Sequence, residues 1–113
     1  MKDMNTKLDE VHQLVKKLNR DYPDNIGPFL SLLEKAEGEG ALDSKTKELI
    51  SIALSVYSHC EWCIAYHVKG ALKAGATKDE ILEACFVAVV MGGGPSLMYM
   101  QLVLKALEDY KKK

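Results

Sequence analysis

Apolar residues recur at helical spacing at Leu8, Val11, Leu14, Val15 and Leu18, which predicts an amphipathic first helix that ends at Tyr22-Pro23-Asp24. Pro28 is placed at the first turn of a short second helix carrying Phe29, Leu30, Leu32 and Leu33, before the loop Gly38-Glu39-Gly40. Asp43 or Ser44 caps a third helix. Its run from Leu49 to Tyr57 is almost wholly apolar, so burial on most faces is expected, with Glu48 at the edge of the run. Ser58 and Glu61 have capping-box spacing, which starts a fourth helix ending near Gly75. Thr77 and Glu80 repeat that spacing before the apolar run Ile81 to Met91, and Gly92-Gly93-Gly94 breaks it. Pro95 opens a sixth helix toward Lys113. Val87, Val89 and Val90 alone would suit a strand, but the cap signals and the length of the run favour helix. The pattern predicts one all-α domain over residues 1–113, a bundle of about six helices.

Composition narrows the function classes. The formal charge is -1 over 113 residues, so no global field draws the chain to nucleic acid or an anionic membrane, and neither partner is expected. The sequence reads as lacking an apolar stretch near the ~20 residues that span a bilayer, and MKDMNTKLDE lacks the apolar segment of a signal peptide. A cytoplasmic location is the resulting expectation. The three cysteines include a pair three apart, which fits a reducing compartment and a catalytic or metal-binding pair better than a secreted disulfide framework.

On a helix, Cys60, Cys63 and His67 share one face. With Ser58 as N-cap, Cys60 is the second helical residue and feels the positive end of the helix dipole, which favours thiolate. His67, one turn after Cys63, can accept its proton; the bland alternative is a histidine satisfying a buried polar position. Glu48 is either a solvated first-turn residue or the partner that orients His67, because a carboxylate beside an apolar helix is costly to bury unpaired. A thioredoxin-type site requires a preceding strand, and haem attachment requires histidine where Ile64 stands. Structural zinc requires a fourth ligand beside Cys60, Cys63 and His67, for which only His59, Cys85 or His12 is available.

Glu48, eleven residues, Cys60-Glu61-Trp62-Cys63, three residues and His67 together resemble the AhpD-like branch of the carboxymuconolactone decarboxylase family. The similarity extends over about 27–107 and includes the Ala71–Ile81 stretch. The resemblance implies an oligomeric all-helical fold, trimeric or hexameric, and a thiol peroxidase or disulfide reductase acting on organic hydroperoxides, with no cofactor and an unidentified dithiol or protein reductant. It further implies that peroxide is attacked by Cys63, that Cys60 resolves the sulfenic acid to a Cys60–Cys63 disulfide, and that Glu48 and His67 remove the Cys63 proton. Trp62 departs from the pattern, which commonly has histidine there; it removes one imidazole and offers an apolar wall instead. The lactone decarboxylases of the same family generally lack paired cysteines.

The other features read as structural. Cys85 behaves as a small core hydrophobe, and Met91, Met98, Tyr99 and Met100 as core or subunit-interface packing. The glycine run lacks the lysine and the preceding strand of a phosphate loop. Six short helices cover the apolar third and fifth helices poorly, so a homo-oligomer is expected, and a zinc-binding or scaffolding helical module is the alternative to the enzyme.

Overall fold

The computed structural model describes residues 2–112 and consists of five helices: α1 Met4–Asp21, α2 Pro23–Glu37, α3 Ser44–Tyr57, α4 Glu61–Lys73 and α5 Lys78–Lys111. No strand occurs among the described residues. The central layer is α3, α4 and α5, with α1 laid across α4 and the start and end of the chain brought together. Ile52 and Val56 of α3, Ile64, Ala65 and Val68 of α4, and Ile81, Cys85 and Val103 of α5 meet in the core.

Local chemistry accounts for the helix ends. Asp43 accepts the Thr46 N–H at 2.8 Å at the start of α3. Thr77 and Glu80 form the expected reciprocal capping box. Gly75 follows α4 with φ +91°, the left-handed conformation anticipated for it.

Three expectations are corrected. Helix α2 begins at Pro23, because proline suits a first helical position and a single residue, Tyr22, turns the chain between α1 and α2; Pro28 lies inside the helix. The N-cap of α4 is Cys60 rather than Ser58. Ser58 instead ends α3, its N–H bonded to Leu54 O at 2.8 Å, and Glu61 pairs with Lys7. The expected fifth and sixth helices are both present as two segments of α5, interrupted as the glycine run predicted at Gly93 (φ 67°, ψ −152°), a region essentially reserved for glycine. The projected end at Lys113 lies outside the described residues. Finally, the segment from Ala84 to Leu104 carries no charged residue, so α5 is long and apolar enough to span a bilayer by length and composition, contrary to the sequence reading. Here it is a packing element, touching α1, α3 and α4.

Burial of α3 is less complete than its apolar run predicted, whereas the uncovered surface of α5 agrees with the expected shortage of covering helices. In α3, Ile52, Ser55 and Val56 are buried, whereas Ile50, Leu54 and Tyr57 face outward. In α5, Val90 and Met91 are 82% and 78% exposed. Helix α2 has no buried residue, and its C-terminal end is tied to α3 by two polar contacts, Lys47 Nζ to Gly38 O at 2.6 Å and Ser51 Oγ to Glu37 Oε1 at 2.9 Å.

Candidate active site

The three residues from Ser58 to Cys60 connect α3 to α4 in so tight a turn that His59 adopts φ +58°, a left-handed conformation costly for a side chain with a Cβ. Its imidazole stacks on Tyr99, centroids 4.6 Å apart. The turn is secured by the Cys60 N–H donating to Ser55 O at 3.0 Å. Cys60 thus arrives at the N-terminus of α4 as its cap, where Sγ accepts the Cys63 N–H at 3.2 Å. Cys60 and Cys63 are joined as a disulfide, their Cα atoms 5.2 Å apart. The thiol of Cys85 is buried in the core and pushed up to about 11 by desolvation, as suits a structural cysteine.

One turn beyond Cys63, His67 meets Glu48 across the α3–α4 interface, Nδ1 lying 2.8 Å from Glu48 Oε1. Both side chains are only 15% exposed, so Glu48 is not the solvated residue of the bland reading. A proton on Nδ1 shared with the carboxylate leaves Nε2 as the free position of the ring. The approach depends on Gly70 of α4, where a Cβ would collide with the Glu48 carboxylate. Tyr66 packs edge-on against His67, and its phenol is pushed up first by desolvation and then by the charges of Glu48 and Glu37.

Of the four residues expected from the sequence, Glu48 and His67 meet across the α3–α4 interface, and Cys60 and Cys63 are paired at the start of α4, Cys63 one turn before His67. Glu37 joins them unanticipated: Oε1 sits 4.0 Å from His67 Nδ1 and accepts from Ser51 Oγ, while Oε2 is buried without a hydrogen-bond partner. Ser51 and Ser55, spaced with Glu48 along one side of an apolar helix, were the available signal that α3 carries a polar stripe facing something other than core. Among the described residues, Glu37, Glu48 and His67 are the one trio whose donor atoms lie within 4.8 Å of one another and could hold a metal. Cys60, Cys63 and His67 do not form such a trio with His59, Cys85 or His12, and the two paired sulfurs are engaged in the disulfide.

Trp62, between the cysteines, is 48% exposed and held from outside by α1. Its Nε1–H donates to Glu10 Oε1 at 2.9 Å, and Lys7 Nζ lies 4.8 Å from the ring centroid while pairing with Glu61 at 2.9 Å. Lys7 is itself buried, so α1 fixes both residues of the Cys60–Cys63 segment.

Residues 27–106 match the carboxymuconolactone decarboxylase family model. A crystal structure of an apo carboxymuconolactone decarboxylase family protein from Legionella pneumophila is 39% identical and superposes with TM-score 0.86, covering 96% of this chain and 95% of its own. A family member from Thermotoga maritima, for which a part in an antioxidative response has been suggested, is 30% identical with TM-score 0.84, covering 95% of this chain and 91% of its own. The alkyl hydroperoxide reductase AhpD of Mycobacteroides abscessus is 34% identical over 70 residues, which is 62% of this chain and 39% of that protein.

Proposed function

Because the chain belongs to the carboxymuconolactone decarboxylase family and is AhpD-like within it, we propose that it is a thiol-dependent peroxidase that reduces organic hydroperoxides through Cys60 and Cys63. The observation that carries this reading is the dithiol pair at a helix N-terminus with the Glu48–His67 pair one turn away.

In the reduced enzyme, His67 Nε2 takes the proton of the Cys63 thiol, and Glu48 at Nδ1 offsets the charge gained by the ring. The Cys63 thiolate attacks the terminal peroxide oxygen, the O–O bond breaks, and the alkoxide leaves as the alcohol after taking a proton. Cys63 is then a sulfenic acid. Cys60 attacks its sulfur and expels the hydroxyl as water, giving the Cys60–Cys63 disulfide. Two electrons have passed from the dithiol to the peroxide, and an external dithiol, small or protein-borne, restores the thiols by exchange. No nucleic acid, membrane or cofactor enters this scheme. A reducing compartment such as the cytoplasm suits it, and a second copy of the chain is the proposed partner for the outward apolar faces.

Treating the fully reduced protein with cumene hydroperoxide is expected to consume two thiols per chain and form one equivalent of alcohol. In Cys60→Ser a dimedone-reactive sulfenic acid should accumulate on Cys63, and in Cys63→Ser none should form. Unchanged thiol counts in the wild type would defeat the proposal.

A further inference from the structure

Glu37 is the charged group of the site that the scheme above leaves without a role. It is the last residue of α2, a helix with no buried residue, yet its carboxylate is three-quarters covered and turned into the α3–α4 interface. The covering is built rather than incidental. Ser51 Oγ–H is committed to Oε1, and Lys47 fixes the adjoining Gly38 carbonyl, so the end of α2 is held against α3 at this point. Oε1 then lies 4.0 Å from His67 Nδ1, the same ring nitrogen that Glu48 contacts at 2.8 Å. An imidazole that served only to fill a polar position requires one acceptor at Nδ1; this one has two carboxylates.

We infer that Glu37 is a positioning residue of the proton relay, acting on the dithiol through His67. The inference rests on the peroxidase reading for its meaning, since it assigns Glu37 to the half-reaction in which the Cys63 proton moves to His67. That transfer turns a neutral thiol and a neutral imidazole into a thiolate and an imidazolium; no electron moves, and the proton passes from Sγ to Nε2. A carboxylate close to Nδ1 favours the imidazolium, and Glu37 approaches His67 at Nδ1, leaving Nε2 to receive the proton. With Glu48 it forms a two-carboxylate clasp around the charge that the ring acquires. The other groups facing the cluster are Tyr66 of α4, whose phenol stays neutral because burial and both carboxylates push its ionisation up, and Lys47 of α3, whose ammonium is bonded to Gly38 O. α2 thereby gains a function: it delivers the second carboxylate.

The test separates this inference from the peroxidase reading by following thiolate formation without peroxide. The rate of Cys63 alkylation by iodoacetamide is measured from pH 5 to 9 in the reduced Cys60→Ser background, with Glu37 intact, changed to Gln, or changed to Asp. Glu37→Gln keeps the shape and the Ser51 contact but removes the charge. It is expected to slow alkylation at pH 6–7 by about three- to tenfold and to move the profile toward higher pH, by an amount in keeping with one nearby charge. Glu37→Asp is expected to recover part of the rate, and thermal unfolding of both variants should match the parent. A Glu37→Gln profile superimposable on the parent would overturn the inference, as would a loss that Asp does not rescue. If the Glu37→Gln profile shifts while the wild-type dithiol leaves peroxide untouched, the relay stands and the peroxidase reading falls.

Discussion

Gly70 shows how much of the site is decided by single atoms. Glycine in a helix interior costs ~1 kcal/mol relative to alanine, yet α4 keeps one where any Cβ would strike the carboxylate of Glu48. The carboxylate is the far end of a flexible side chain, so Gly70→Ala is expected to fold with stability within about 1 kcal/mol of wild type while pushing Glu48 off His67. Thiolate formation at Cys63 should then fall on the order of tenfold, since the ring loses the partner that orients it; an unaltered alkylation rate would show that Glu48 does not govern His67. The two pairings of the candidate site were legible in the sequence because cysteines three apart at a helix start can meet, and because a carboxylate beside an apolar run demands a partner. Glu37 was not legible. It reaches His67 through a tertiary contact between the end of one helix and the side of another, and nothing in its neighbours Ala36 and Gly38 signals that contact.

At the scale of elements, caps and punctuation predicted most boundaries, and the errors have identifiable causes. Ser58-x-x-Glu61 has the letters of a capping box, but Ser58 is needed to close α3, and a turn with His59 at positive φ passes the cap to Cys60. This changes the chemistry, since the sulfur itself now receives the helix N–H at 3.2 Å. Pro95 was read as a helix start, and it does open the second segment of α5, because the backbone break at Gly93 interrupts the helix two residues before it. The attachment of α1, which carries Lys7 and Glu10 to Trp62, depends on Asp109 near the other end of the chain. Asp109 is 3% exposed and accepts the Met4 N–H at 2.8 Å and the Lys105 ammonium at 3.1 Å. The Met4 N–H is the main cause that holds its carboxyl below the usual range, with the contact to Lys105 assisting against desolvation. A carboxyl lowered in the folded state contributes stability that is present above the unfolded value of ~3.9 and is lost as pH falls through the folded value. Asp109→Asn should therefore cost about 1–2 kcal/mol at pH 7. The gap to wild type should narrow below about pH 4, as read by urea unfolding at pH 7 and pH 3. A gap independent of pH would assign the effect to packing instead.

For the whole molecule, the unresolved balance is between the apolar surface the chain owns and the surface it covers. An 18-residue window of α5 is only 22% buried despite its hydropathy. Val87, Val90 and Met91 of α5, with Leu54 and Tyr57 of the adjoining α3, stand exposed on a chain of 113 residues. Monomeric proteins rarely leave contiguous apolar surface of more than a few hundred Å². The sequence pointed to this through the excess of apolar positions over available partners, but periodicity cannot say which face is spare, because an all-round apolar helix has no preferred side. We propose that a second copy of the chain covers the α3–α5 face, since a surface without charge from Ala84 to Leu104 matches its own kind by the self-complementarity of a symmetric interface. Light scattering after gel filtration should accordingly give a multiple of the 12.5 kDa chain mass. Val90→Asp, whose side chain is 82% exposed in the single chain, should leave helicity intact while lowering the observed mass. Burying a lone carboxylate in the interface opposes assembly by several kcal/mol, far more than an exposed substitution costs the fold. A wild-type monomer would overturn the proposal, and a Val90→Asp protein of unchanged mass would place the interface elsewhere. The candidate-site distances given above lie wholly within one chain, among α2, α3 and α4, so dissociation by Val90→Asp should leave the pH profile of Cys63 alkylation unchanged even where the proposed peroxide turnover falls.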